Sequence, residues 1–317
     1  MSVRDIVQAA AGQGGGDKLY VDDVFSTYLY TGTGGALTVN NGIDLDGEGG
    51  MVWIKPRLTT DSHRVFSTGQ LSTSYQIQTN TTNASSYLTN GGIGFLSNGF
   101  NLSTSAFINE NGSPAVSWTF RKAPKFFDVV TYTGDGTTNR QIPHNLASMP
   151  GMIIVKRTNG SGNWLVWHQS INTTGGNDLR EFLTLNTTAA VTLATTGVDR
   201  PWAAVSSESF GIAFDASAVT NINGATYVAY LFAHDAGGFG ETGDDSIVAC
   251  GSFTTNGSGI ATVDLGWEPQ FVLFKISSST GSWRMYDNMR GIATGGNDAV
   301  LFPNLTAAED TGSDAID

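Results

Sequence analysis

The chain has 317 residues, of which 40 are glycine and 14% are charged, with a formal net charge of -12. A glycine inside a helix costs about 1 kcal/mol relative to alanine, so this composition excludes a helical bundle. The acidic excess is the wrong sign for gripping phosphate backbones or an anionic bilayer, while 40% hydrophobic residues with 17 Phe, 9 Tyr and 7 Trp exclude a disordered chain.

Residues 1–20 read as a short helix and a hinge. Ser2 can cap the helix, Val3, Ile6, Val7 and Ala10 share one face, and the glycine-rich run from Gly12 to Gly16 ends it. A helix this short is marginal alone and needs something to dock on, so the segment is expected to be an anchor.

From residue 21 the chain repeats. TyrLeuTyrThrGly (Tyr28 to Gly32), ValThrTyrThrGly (Val130 to Gly134) and GlySerPheThr (Gly251 to Thr254) each open a segment with a strand-like run. A second strand ending at a lysine follows in each: MetValTrpIleLys to Lys55, MetIleIleValLys to Lys156, PheValLeuPheLys to Lys275. An offset of 119 residues relates Lys156 to Lys275 and Trp164 to Trp283. The pattern gives a first unit at 21–126, a second at 127–245 and a third at 246–317, built of short strands cut by Asn/Gly/Ser/Thr turns. The expected fold class is all-β, with serial antiparallel β-sandwich units of jelly-roll type. The third unit is short of its last strands, and the expectation is a longer natural product, or completion by another chain.

Asp44, Asp46 and Glu48 stand at calcium-loop-like spacing, but the distal glutamate is missing and the matching loops of the other units lack the carboxylates, so a polar turn is expected. Trp164 and Trp283 are matched across the repeat and should face the core. Trp167 and Tyr286 lie on the opposite face of their strands and are the expected exposed aromatics for stacking on a sugar ring. Cys250, the only cysteine, is expected to be a buried thiol. His63, His144, His168 and His234 are scattered, with no metal-ligand or nucleophile pattern. No enzyme activity, cofactor or metal is expected, and neither nucleic acid nor membrane insertion.

The phrases MSVRDIVQAAAG, DVFSTYLYTG, GIDLDGEGGMVWIK, SWTFRKAPKFFDVVTYTGDG, PGMIIVKRT and TYVAYLFAHD resemble the serial repeats of tail-fibre-type virion structural proteins from tailed phages of marine bacteria. The resemblance implies concanavalin-A-like sandwich domains, location in the virion tail after synthesis in the host cytoplasm, and a homotrimer. It also implies attachment through the N-terminus to tail adaptor or nozzle proteins, and distal units that meet host surface polysaccharide. It supplies no catalytic residues. A capsid-decorating or other tail structural protein, and a polysaccharide depolymerase tailspike, are the two alternatives.

Overall fold

The computed structural model describes residues 18–171, 179–194, 200–212, 220–292 and 295–316. The helical anchor face at Val3, Ile6, Val7 and Ala10 lies outside the described residues. The fold is all-β, and among the described residues the helices are two single turns, α1 (Val21–Val24) and α2 (Ala106–Asn109).

The first unit runs β1 (Phe25–Thr31), β2 (Leu37–Asn40), β3 (Gly50–Pro56), β4 (Arg64–Ser67), β5 (Tyr75–Gln78), β6 (Ser86–Tyr87), β7 (Ile93–Leu96), β8 (Gly99–Leu102) and β9 (Pro114–Arg121). Its large sheet has the order β1-β9-β3-β4-β5-β6 and its small sheet β2-β8-β7. The second unit repeats this strand for strand: β10 (Phe127–Thr133), β11 (Arg140–Pro143), β12 (Pro150–Arg157), β13 (Leu165–His168), β14 (Glu181–Thr184), β15 (Thr192–Leu193), β16 (Trp202–Val205), β17 (Ser209–Ile212) and β18 (Thr226–Ala233). Its sheets are β10-β18-β12-β13-β14-β15 and β11-β17-β16. Each unit is thus a sandwich of a six-stranded and a three-stranded antiparallel sheet.

Both faces of each large sheet are covered. One face meets the small sheet of its own unit: Val52, Ile54 and Phe66 pack with Val39, Phe100 and Leu102 in the first unit, and Ile153, Val155, Leu165 and Trp167 pack with Ile142, Trp202 and Phe210 in the second. The other face joins a core common to all three units, which contains Trp53, Trp118 and Phe120, then Ile154, Trp164 and Tyr230, then Trp283, Met285 and Leu301. A strand covered on both sides has no reason to alternate, so β3 is buried along its whole length and reads as an unbroken apolar run. By contrast β2, with one wet face, alternates.

The repeated Tyr-Thr-Gly phrase has a defined task. Tyr30 Oη donates to Ile108 O at 2.6 Å and Tyr132 Oη donates to Thr220 O at 2.8 Å, fastening the end of the first strand to the loop before the closing strand. The glycine lets that loop close, because a Cβ on Gly32 would sit 2.2 Å from Glu110 O and one on Gly134 2.2 Å from Ile222 O. Gly134→Ala should therefore cost about 1–3 kcal/mol through backbone displacement, read as a lower urea midpoint; an unchanged midpoint would contradict the close approach.

The third unit has β19 (Phe271–Phe274), β20 (Arg284–Asp287), β21 (Asp298–Val300) and β22 (Asp310–Ser313), the counterparts of β3 to β6. They form two two-stranded sheets, joined by a bridge between Met285 and Leu301. The expected strand at Gly251 to Thr254 is not formed, and no strand lies between Ala233 and Phe271. The reason is pairing: β1 and β10 are hydrogen-bonded only to β9 and β18, and no strand of that kind is present in the third unit among the described residues.

Candidate functional site: the joints between units

The contacts between units repeat as faithfully as the units themselves. Trp164 Nε1 donates to Gln78 O at 3.0 Å across the first joint, and Trp283 Nε1 to Thr184 O at 3.1 Å across the second. Gly162 N donates to Thr82 O at 2.8 Å, and Gly281 N to Thr188 O at 2.8 Å. Ser85 N donates to Thr158 O at 2.8 Å, and Val191 N to Ser277 O at 2.9 Å. In every pair the same two loops meet: the one after the lysine-ending strand of one unit, and the one after the fifth strand of the unit before it.

The third unit closes back on the first. Glu309 N donates to Arg57 O at 2.7 Å, and Arg57 stands two positions after Lys55 as Thr158 and Ser277 stand after Lys156 and Lys275. Thr79 Oγ1 adds a bond to Pro303 O at 2.6 Å. The units are therefore arranged head to tail in a closed ring of three, with the common core inside. His63 occupies the position of Trp164 and Trp283, and its ring stacks on Trp118 with centroids 6.2 Å apart while Nδ1 accepts from Trp53 Nε1 at 3.0 Å.

The closing joint carries a buried charge network. Arg290 donates through Nε to Asp287 Oδ2 at 2.7 Å, through Nη1 to Glu309 Oε2 at 3.1 Å and through Nη2 to Met285 O at 3.1 Å. From the first unit, Trp118 Nε1 donates to Asp287 Oδ2 at 2.9 Å and Arg57 binds Glu309 with both Nε and Nη2, at 2.9 and 2.6 Å. Burial alone would raise the Glu309 carboxyl, but the bonds and charges of Arg57 and Arg290 outweigh it and hold the group below its ordinary range.

The lysine that ends each third strand is a staple. Lys55 Nζ donates to Pro56 O and Thr59 O, Lys156 Nζ to Arg157 O and to Thr82 O of the neighbouring unit, and Lys275 Nζ to Ile276 O and Ser279 O. Burial brings the Lys55 and Lys156 ammonium groups down to about 8. The histidines are also engaged: His144 Nδ1 accepts from Leu146 N, His168 Nδ1 from Ser170 N and His234 Nδ1 from Cys250 N. Burial, with Lys55 and Arg290 adding to it, drives His63 well below its usual value; burial with the nearby His234 brings His168 to about 4.

These two histidines set an acid limit. The unfolded chain protonates them near pH 6.5 while the folded chain resists, so the unfolded state binds more protons below that pH and stability falls as pH falls, by at most about 1.4 kcal/mol per pH unit for each group. The urea midpoint should drop between pH 7 and pH 5, and His168→Asn should flatten the slope. A midpoint independent of pH across that interval would contradict the burial of both rings.

The aromatic pair expected on the surface is buried. Trp167 is 3% exposed and belongs to the core of the second sandwich, and Tyr286 is 0% exposed and stacks on Phe274 at 5.6 Å. Alternation placed them correctly on the face opposite Trp164 and Trp283, but that face is covered too, by the small sheet at Trp167 and by Phe274 at Tyr286. Sugar stacking on either ring is corrected accordingly. Asp44 spends its carboxylate on the turn, with Gly47 N donating to Oδ1 at 2.8 Å, and Glu48 lies 4.0 Å from Arg121. Among the described residues no group of three or more His, Cys, Asp and Glu could hold a metal ion. Cys250 is a buried thiol, pushed by burial to about 12. His63, Asp287, Arg290 and Glu309 were not singled out from the sequence. The even spacing of His63, Trp164 and Trp283 after the repeated lysines is the signal that could have found the first.

A family profile matches residues 21–317, covering all three units as one stretch. The chain belongs to DUF7483, a domain of unknown function. No curated protein and no solved structure matches it. The span of DUF7483 is consistent with the geometry, since three units that share a core are one folding body rather than three separable ones.

Proposed function

We propose that this DUF7483 chain is a structural component of a phage tail fibre. Its first 20 residues attach it to tail adaptor or nozzle proteins, and its β-sandwich units form part of a stalk or host-surface-binding array, with homotrimers of the chain as the working form. The observation that supports the reading is the ring of joints: Lys55, Lys156, the indoles of Trp53, Trp118, Trp164 and Trp283 and the described histidines are hydrogen-bonded into the scaffold, which suits a rigid particle component. The sequence phrases that resemble those of tail-fibre-type proteins support the location in the tail.

Labelling purified particles with an antibody to residues 18–317 and imaging them by cryo-electron microscopy tests it. Label confined to the tail supports the reading, whereas label over the capsid surface gives the decorating alternative instead. Deleting residues 1–16 should leave a folded chain that is no longer incorporated, and normal incorporation would contradict the anchor. Release of oligosaccharide from host envelope polysaccharide by the purified chain would turn the assignment to a depolymerase.

A further inference from the structure

A cleft of about 230 Å3 lies at the closing joint. One wall is the start of β1, with Phe25, Ser26 and Thr27, and the other comes from the third unit, with Gln270 just before β19 and Asn288 and Met289 just after β20.

The corresponding place in the second unit is filled. Ser26 and Asp128 are equivalent, each following the phenylalanine that opens its strand, Phe25 or Phe127, which pairs with Phe120 or Phe232. Asp128 is 2% exposed, and its carboxylate accepts from Val129 N at 2.8 Å and Asn145 N at 2.7 Å and pairs with Lys122 Nζ at 3.1 Å. A serine cannot gather such a cluster, and Ser26 lines open space instead.

The lining has hydrogen-bonding capacity that the fold does not use. The side chains of Ser26, Gln270 and Asn288 have no hydrogen-bond partner, and the Thr27 hydroxyl is buried without one. The framework around them is nevertheless fixed. Asn288 N donates to Gln270 O at 3.1 Å, and Asn41, which also lines the cleft, donates through Nδ2 to Thr119 Oγ1 at 2.9 Å and accepts at Oδ1 from Ile43 N at 3.3 Å. A buried hydroxyl without a partner costs stability that a ligand can restore.

The chemistry of the lining selects the ligand. Hydroxyls and carboxamides both donate and accept, as do the hydroxyls of a sugar. Phe25 and Met289 offer apolar contact to the C–H face of a sugar ring. Asp22 is the one charged side chain among the described residues of the lining, so an anion is disfavoured. The volume falls below the roughly 300 Å3 at which pockets for drug-sized ligands begin, which fits one small ring.

We propose that this cleft binds a single neutral sugar residue, held by Ser26, Thr27, Gln270 and Asn288. The inference deepens the host-surface part of the proposed function, and rests on that reading for where the sugar is met.

The test is titration of the full chain with the methyl glycosides of glucose, galactose, mannose and N-acetylglucosamine, followed by NMR of the side-chain carboxamides. At least one of the four should shift the Gln270 and Asn288 signals saturably, and glucuronic acid should not. Asn288→Ala and Gln270→Ala should each weaken binding at least about tenfold with an unchanged urea midpoint, because neither side chain has an internal partner. Ser26→Asp, which copies Asp128, should abolish it. No saturable shift with any of the four up to about 50 mM would overturn the proposal, as would binding that both alanine variants leave intact. Antibody label on the tail with no shift would remove this site and leave the fibre reading standing; a saturable shift with label absent from the tail would support the site and remove that reading.

Discussion

Arg290→Ala should destabilise the protein by about 3–5 kcal/mol, the cost of removing one partner from a buried ion pair. Arg290 has 0% side-chain exposure, as does Asp287, and Glu309 has 3%. Without the guanidinium, Asp287 keeps Trp118 Nε1 and the Arg290 backbone N–H, and Glu309 keeps Arg57, but two carboxylates stay buried with one cation between them. Urea unfolding measures the loss. Because the network joins the third unit to the first, hydrogen exchange should accelerate in 114–121 as well as in 284–287. A double-mutant cycle with Trp118→Phe should show coupling, since the two residues share one carboxylate oxygen and the guanidinium lies 5.4 Å from the indole ring. A loss below about 1 kcal/mol, the size of a surface pair, would mean that the closing joint is not held in this way.

Trp164→Ala and Trp283→Ala should each cost about 3–5 kcal/mol, the range for emptying a buried aromatic site. The indoles are 1% and 3% exposed, line the common core and make the same bond to the preceding unit. Trp→Phe at either place should recover most of the packing, leaving the cost of one unpaired buried carbonyl, about 1–3 kcal/mol. The informative result is the location of the damage. Trp164→Ala should loosen 75–78 in the first unit as well as 165–168 in the second, and Trp283→Ala should loosen 181–184 as well as 284–287. Acceleration confined to the substituted unit would mean that the joints are contacts of convenience between independent sandwiches.

The strands and their faces were legible because they are local properties. Period-two alternation separated Trp164 from Trp167, and the shared offset fixed Trp164 and Trp283 as equivalent. What covers each face is a long-range property, so the surface expected at Trp167 and Tyr286 proved to be buried. The ring was hidden for a related reason: its third member is a histidine, and the closing contact is made by Arg57 and Glu309, which share no residue type with Thr158 and Ser85 or with Ser277 and Val191. Apart from the Trp164 and Trp283 indoles, main-chain groups carry the repeated bonds, and they leave no trace in residue identity. The missing strand at 251–254 teaches the converse, since a run with strand-like composition stays irregular when no neighbour offers hydrogen bonds.

Differential scanning calorimetry of the chain tests the claim that three repeats fold as one body around a common core. One transition is predicted, with calorimetric and van't Hoff enthalpies equal and with residues 25–121, 127–233 and 271–301 losing exchange protection together. Two or three resolved transitions, with the second sandwich surviving the unfolding of the first, would contradict it.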